Sequence, residues 1–314
     1  MNGLLHTAQS VAGNDGRQGE LISGLFGIFL IVAAVVYVIV LAFLLWAILR
    51  RKSEKSRELP LRRALIAWTG VTALILAGLT LASWFTDRHL AQAAEAPALE
   101  IELIGHQYWW EVRYRGARPS DEVRTANELH LPAGVRAHVT LRSPDVIHSL
   151  WIPNLAGKQD LIPGRETDIS ILPTREGRYR GQCAEFCGIQ HANMALDVTV
   201  ESTAAFEQWR RAQLQIPPAP TDPAARRGYA LVTAGACASC HNIAGTPASG
   251  QIAPDLSHIA SKSSLAAGTL PMNRANLAAW IADPQRHKPG NNMPAVPLTP
   301  AQLADVVTYL ETLR

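Results

Sequence analysis

The chain has 314 residues, which accommodates two or three domains, and its composition changes twice along the way. A formal net charge of +3 points to no polyanionic partner, so nothing here suggests nucleic-acid binding. All four cysteines fall in two close pairs, neither of them in the long apolar segments.

Residues 21–49 and 64–86 contain no charged side chain. At about 1.5 Å per residue each can cross a hydrocarbon core of about 30 Å, so both are read as transmembrane helices. A signal peptide would have a basic start and a shorter apolar core, whereas Arg17 is the sole Lys or Arg before the first span. Between the spans, Arg50, Arg51, Lys52, Lys55, Arg57, Arg62 and Arg63 outnumber Glu54 and Glu58. The positive-inside rule makes that loop cytoplasmic and puts both termini on the outer face. In an oxidising exterior, cysteines committed to a metal or a haem are protected.

From residue 96 the period changes. LEIELI (99–104), YWWEVRY (108–114), ELHL (128–131), RAHVTLR (136–142), TDISIL (167–172) and ALDVTV (195–200) are short, partly alternating and separated by Gly and Pro turns. That spacing predicts an antiparallel sandwich or barrel.

Among these strands runs Cys183-x-x-x-Cys187-x-x-x-His191-x-x-Met194. Two thiolates, an imidazole and a thioether form a soft set that suits copper better than magnesium or calcium. A mononuclear blue-copper site needs one cysteine, so the second is surplus to it. Two thiolates at this spacing can bridge two metal ions, each completed by an imidazole and a weak ligand. His148, in DVIHSLW, is the best candidate for the second imidazole. A Cys183–Cys187 disulfide, or zinc held by the cysteines and histidines, is the competing reading; zinc leaves Met194 unexplained.

Ser202 or Thr203 can cap a short helix, TAAFEQWRRAQLQ, after which Pro217, Pro218, Pro220 and Pro223 mark a semi-extended linker. Beyond it, Cys237-Ala-Ser-Cys240-His241 reads as covalent c-type haem attachment, with His241 as a proximal iron ligand. A thioredoxin-like C-x-x-C would need a βαβ surround that is missing here. Thr299 can cap a last helix with Pro300 in its first turn, and Leu303, Val306, Val307, Leu310 and Leu313 form its apolar stripe. Met272 and Met293 are the methionines available to the iron, with His258 or His287 as a further possibility.

GQCAEFCGIQHANM, with DVIHS and KQDLIPGRE upstream, resembles subunit II of haem-copper cytochrome c oxidases from the first span to about residue 210. The segment after the linker resembles a small cytochrome c, as in oxidases whose subunit II carries one at its C-terminus. The resemblance implies a multidomain membrane protein: a transmembrane hairpin within 1–95, an all-β cupredoxin-like domain at 96–214, a Pro-rich linker at 215–224 and an all-α class I cytochrome c domain at 225–314. It makes His148, Cys183, Cys187, His191 and Met194 side-chain ligands of a dinuclear copper centre, CuA. Glu185 would bind through its backbone carbonyl, with its carboxylate facing a magnesium ion at the border with subunit I. Met293, after the GNN turn and before the last helix, corresponds to the sixth ligand of haem c, and Pro254 to the residue whose carbonyl orients the proximal histidine.

Tyr108, Trp109 and Trp110 match the family's aromatic stretch near copper, where electrons enter. Tyr108 stands where the family has tryptophan, which suggests that docking of a soluble cytochrome c has moved to the fused domain. Before Trp68 the chain has RRALIA, where many relatives carry a glutamate at a proton pathway. The implied function is electron transfer from cytochrome c or another external donor through haem c and copper to subunit I, where oxygen is reduced to water with proton translocation. The implied setting is a complex with subunit I and other oxidase subunits in a bacterial-type inner membrane. A nitric oxide reductase subunit and a membrane-tethered copper-delivery protein are the alternatives.

Overall fold

The computed structural model describes residues 9–11, 13–49, 58–92 and 99–314. Helices α1 (Arg17–Leu49) and α2 (Glu58–Gln92) make up most of one compact unit. Their spans have mean hydropathy 3.3 and 2.0, and neither is buried in protein. Phe26, Leu30, Val38 and Leu45 on α1, and Leu65, Leu74 and Leu76 on α2, all point outward. A helix apolar on every side with no core to enter is long enough and apolar enough for a membrane. Both helices outrun the expected apolar stretches, because Arg and Glu continue a helix well and Pro60 lies in the first turn of α2, where its missing N–H costs no bond. The basic residues from Arg50 to Arg57 and the expected boundary after residue 95 lie outside the described residues.

The other unit, which takes in residues 96–314, contains both redox modules. Its first part has ten strands: β1 (Leu99–His106), β2 (Trp109–Tyr114), β3 (Val123–Ala126), β4 (Glu128–Pro132), β5 (Ala137–Arg142), β6 (His148–Trp151), β7 (Lys158–Leu161), β8 (Thr167–Ile171), β9 (Gly177–Cys183) and β10 (Ala195–Glu201). They pair as two sheets, in the orders β3-β2-β1-β5-β8 and β4-β10-β9-β6-β7. Alternation along each strand turns Ile101, Leu103, Trp110, Val112, Leu129, Leu141, Leu150 and Val198 into the common core. This is a sandwich, as the periodicity predicts, but not a purely antiparallel one: β1 pairs with β5 and β4 with β10 in parallel, because strands that are distant in the chain, and not joined by a hairpin, lie side by side.

Four strands escape the pattern. β3 and β7 are short, with Arg124, Lys158 and Gln159 among their few residues, and β9 begins on Gly177 and carries Gly181 and two arginines, which weakens a strand signal. β6 shows in the sequence only as an apolar run beside His148. Cys183 therefore ends a strand instead of lying wholly in a loop, and Tyr108 sits in the turn before β2.

Helix α3 (Thr203–Gln213) is capped by the Ser202 hydroxyl, which accepts from the Ala205 amide. It lays Phe206 and Trp209 against Tyr114, and Trp209 stacks on His130 with ring centroids 4.0 Å apart. No helix or strand covers residues 214–222.

The last part comprises α4 (Pro223–Ala234), a small hairpin β11 (Ser264–Leu265) and β12 (Leu270–Pro271), α5 (Arg274–Ala282), α6 (Pro284–His287) and α7 (Pro300–Leu310). Thr299 and Gln302 form a full capping box on α7. Helices α4 and α7 cross at Gly228, and Tyr229 meets Tyr309 edge to face with centroids 5.5 Å apart. Around this crossing Val232, Ile243, Ile281, Val306, Val307, Leu310 and Leu313 close a second core.

Candidate functional site

Cys183 reaches its position as the last residue of β9, and its amide donates to the Met194 carbonyl, which closes the loop between them. His148 opens β6, the neighbouring strand. Cys187, His191 and Met194 lie on the intervening loop, held by the His191 amide bonding back to the Gly188 carbonyl. Gly188 has φ +124, and a Cβ there would come within 2.4 Å of the Tyr108 hydroxyl, so glycine is required on both counts.

The two thiols are 3.8 Å apart. A disulfide needs about 2.05 Å, so these sulfurs are neighbours without being bonded. Nδ1 of His148 lies 3.8 Å from Cys183 Sγ, and Nδ1 of His191 lies 3.8 Å from Cys187 Sγ. The Glu185 carbonyl is 3.2 Å from the first sulfur and Met194 Sδ is 3.9 Å from the second. The six donors are thus arranged symmetrically about the sulfur pair: two thiols at the centre, an imidazole on each, a weak ligand on each. Zinc in a closed four-ligand site has no use for the last two. The donor set fits a pair of copper ions bridged by both thiolates.

Electrostatics support the same centre. Burial opposes charge on His148, yet the Asp145 carboxylate, 2.8 Å from Nε2, and the Cys183 thiol raise its affinity for a proton. Asp145 is held at about 2 despite burial, by His148 and by the Val146 and Gln107 amides. The Cys187 thiol beside Cys183, more than anything else, pulls Cys183 down to about 3, and Cys187 is pushed up in return. Asp145 was not singled out from the sequence, although D-x-x-H is a recognisable way to orient a metal-binding imidazole.

At the second centre Cys237, Ala238, Ser239 and the adjoining Cys240 form a tight turn, and the amides of Cys240 and His241 both bond to the Cys237 carbonyl. The two cysteines are half-buried and not joined to each other by a disulfide. His241 Nδ1 donates to the Pro254 carbonyl at 2.7 Å, which leaves Nε2 as the lone-pair nitrogen available to iron. Burial lowers the proton affinity of His241, which favours the neutral ring that a metal ligand needs. The residues fit a haem c. Met293 is half-buried, with its amide on the Asn291 side chain and its carbonyl accepting from Gln285, while Met272 packs against the core with Leu270 and Cys237. His258 is occupied by the Gln213 carbonyl at 3.0 Å.

The aromatic residues fall on different sides. Tyr108 is buried against the copper loop, Trp110 donates to the Met194 carbonyl at 3.4 Å, and Trp109 stacks on His106. Trp109 also lines a crevice with Asn242, Gly250 and Asp255 of the haem domain.

The two domains meet along two lines of contact that no sequence motif announced. On one, Lys262 Nζ lies 2.6 Å from both Glu128 and Thr125, and the Ser263 and Ser264 hydroxyls bond to Asp197. Glu128 is mostly covered, with 12% of its side chain exposed, and Lys262 and His130 nonetheless hold it well below the carboxylate range. On the other, Lys288 reaches into the copper domain, and burial pushes its ammonium down to about 7.

Comparison with known proteins agrees with both halves. The sequence model for the cytochrome c oxidase subunit II periplasmic domain matches residues 118–202, and that for cytochrome c matches residues 225–314. Cytochrome c oxidase subunit 2 of Alkalihalophilus pseudofirmus is 29% identical over 311 residues, covering 95% of this chain and 89% of that protein. The Arabidopsis thaliana protein of the same name is 30% identical over 207 residues, covering 56% of this chain and 80% of that one. Among solved structures, the periplasmic domain of subunit II of cytochrome oxidase from Bradyrhizobium japonicum is 25% identical over 38% of this chain and 95% of that one, with a TM-score of 0.35.

Proposed function

This chain belongs to the cytochrome c oxidase subunit II family and carries a cytochrome c domain, and from that premise we propose that it is the subunit through which electrons enter a haem-copper oxidase. In this reading His148, Cys183, Cys187, His191, Met194 and the Glu185 carbonyl hold a dinuclear copper centre. Cys237 and Cys240 would attach haem c covalently, and His241 and Met293 would hold its iron. Bound there, the two groups supply one-electron carriers between an external donor such as cytochrome c and subunit I, where oxygen is reduced to water with proton translocation.

The chain's own residues hold the donors still. Asp145 fixes His148 through Nε2, and the Pro254 carbonyl fixes His241 through Nδ1. Both thiols are buried, Cys183 at the end of a paired strand and Cys187 on a loop tied back to it, and so would reorganise little when charge changes by one electron. Helices α1 and α2 anchor the chain in a bacterial inner membrane, with the basic loop inside and both redox domains outside. The Glu185 carboxylate contributes to a magnesium site facing subunit I. Tyr108, Trp109 and Trp110 mark where electrons would enter the copper centre, and of the three Trp109 lines the crevice with the haem domain.

The observation that supports this reading most is the unbonded sulfur pair, 3.8 Å apart, flanked on each side by an imidazole nitrogen. The test is optical and EPR spectroscopy of the purified full chain. It expects c-type haem bands together with the multiline copper hyperfine pattern of one electron shared by two ions. A single-ion pattern, or zinc in place of copper, would remove the dinuclear centre.

A further inference from the structure

The contact between the haem domain and the copper loop is built around one lysine. Lys288 follows α6 and is 2% exposed. Its ammonium donates to the carbonyls of Tyr108 at 2.8 Å, Asn193 at 2.7 Å and Ala266 at 2.8 Å. All three protons are therefore used. Among the described residues no carboxylate lies within ion-pair distance of it. A lysine head buried with no carboxylate partner is expensive, and it persists only where the surrounding carbonyls are aimed at it.

The three carbonyls come from separate segments. Tyr108 precedes β2, and its hydroxyl lies against Gly188 of the copper loop. Asn193 stands between His191 and Met194. Ala266 belongs to the haem domain's own hairpin, where Ala266 and Ala267 have φ of +53 and +57, a left-handed backbone that alanine rarely adopts. That strain aims the Ala266 carbonyl at Lys288 and the Ala267 carbonyl at the amide of Ala195, the residue after Met194. Beside the lysine, the Gln190 side chain donates to the Pro289 carbonyl at 2.8 Å, and Asn292 to the Gln107 carbonyl at 3.2 Å.

We infer that Lys288 is a positioning residue that fastens the haem domain to the copper loop, so that this domain works as a docked electron relay instead of a tethered carrier that swings on residues 214–222. The inference rests on the proposed haem and copper centres. Its contacts bracket the copper donors from both sides, through Asn193 in the loop and through Tyr108 on Gly188. Internal hydrogen bonds of this kind are screened little by salt, whereas docking between mobile charged surfaces weakens with ionic strength. The fixed arrangement also keeps Trp109 at the crevice beside the haem-attachment turn.

The experiment uses the full chain in its oxidase complex, comparing wild type with Lys288→Met, which keeps all but the last atom of the side chain's length and removes every donor. Wild type is first checked for haem c bands and copper EPR, since their absence defeats the proposed centres and leaves the lysine unaddressed. Haem-to-copper electron transfer is then timed after photoreduction of the haem at low and high salt, and amide exchange is followed at 188–194 and 288–292. Wild type is expected to transfer at a rate independent of salt. In Lys288→Met the rate should fall about tenfold to a hundredfold, as expected when a reacting pair loses its alignment, and gain salt dependence. Both segments should exchange faster while haem potential and copper EPR hold their wild-type values. A rate within about twofold of wild type, with protection unchanged, would overturn the inference. So would loss of the copper signal, which would make the lysine a support of the loop itself. Should Lys288→Met fail to accumulate, Gln190→Ala with Asn292→Ala must move rate and exchange in the same direction, and no change in that pair overturns it.

Discussion

Gly228→Ala sets two magnitudes against each other in the haem domain. On helix propensity alone alanine is better than glycine by about 1 kcal/mol. At this position, however, the new Cβ would lie 2.0 Å from the Asp305 carbonyl oxygen, 2.6 Å from its carbon and 2.8 Å from Tyr309 Cβ. Two of these are backbone atoms of α7 that no rotamer change can remove, and ordinary contact begins near 3.4 Å. The helices must therefore part by more than an ångström. Parting them disturbs the Tyr229–Tyr309 contact and the two-pronged Arg227–Asp305 ion pair at 2.7 Å. Overpacking of this kind costs about 1–3 kcal/mol or more, so the clash outweighs the propensity gain. For a domain of this size the melting temperature should fall by roughly 4–8 °C for each net kcal/mol lost. The assay is thermal unfolding of the full chain followed at the haem absorbance, which isolates this domain from the rest. An unchanged or raised melting temperature would refute the close helix crossing on which the argument depends.

Lys262→Met would take from Glu128 its nearest cation at the other contact line, leaving it His130 and the Thr125 hydroxyl, and losing one partner of such a pair costs about 1–3 kcal/mol. Limited proteolysis after residue 214 should then release the haem domain readily, and wild-type resistance in the variant would count against the pair. The same contact has a pH dependence of known sign. Glu128 is depressed in the folded protein, so its contribution is complete above the unfolded value of 4.5 and is lost as pH falls below it towards the folded value. Amide exchange at 123–128 and 262–268 should quicken in acid, and Glu128→Gln should remove that pH dependence. Finally, copper-free protein treated with diamide should close the Cys183–Cys187 pair, since the sulfurs need approach by less than 2 Å from their 3.8 Å separation. Bound copper should prevent it, as measured by thiol labelling after unfolding, and two free thiols in the oxidised copper-free sample would contradict the geometry.

The sequence by itself determined what depends on nearest neighbours and short spacing. Two uncharged stretches announced two helices long and apolar enough to cross a membrane, alternation announced six of the ten sandwich strands, and Ser202 and Thr299 announced helix starts that the structure has. Cys183, Cys187, His191 and Met194 lie close enough in the chain for their chemistry to be read as one set, and C-x-x-C-H is legible in the same way. Only the tertiary structure decided contacts between residues far apart. His148 joins Cys183 because β6 and β9 are neighbours in a sheet, a matter of strand order rather than spacing. The short strands with glycine or charge needed a partner edge before they could be recognised. Lys262 and Lys288 read as ordinary solvated cations until the second domain packs on the first, because burial of a long side chain is a property of what covers it. The tether of residues 214–222 allows many placements of the haem domain, and the carbonyls facing Lys288, from segments up to 180 residues away, select one.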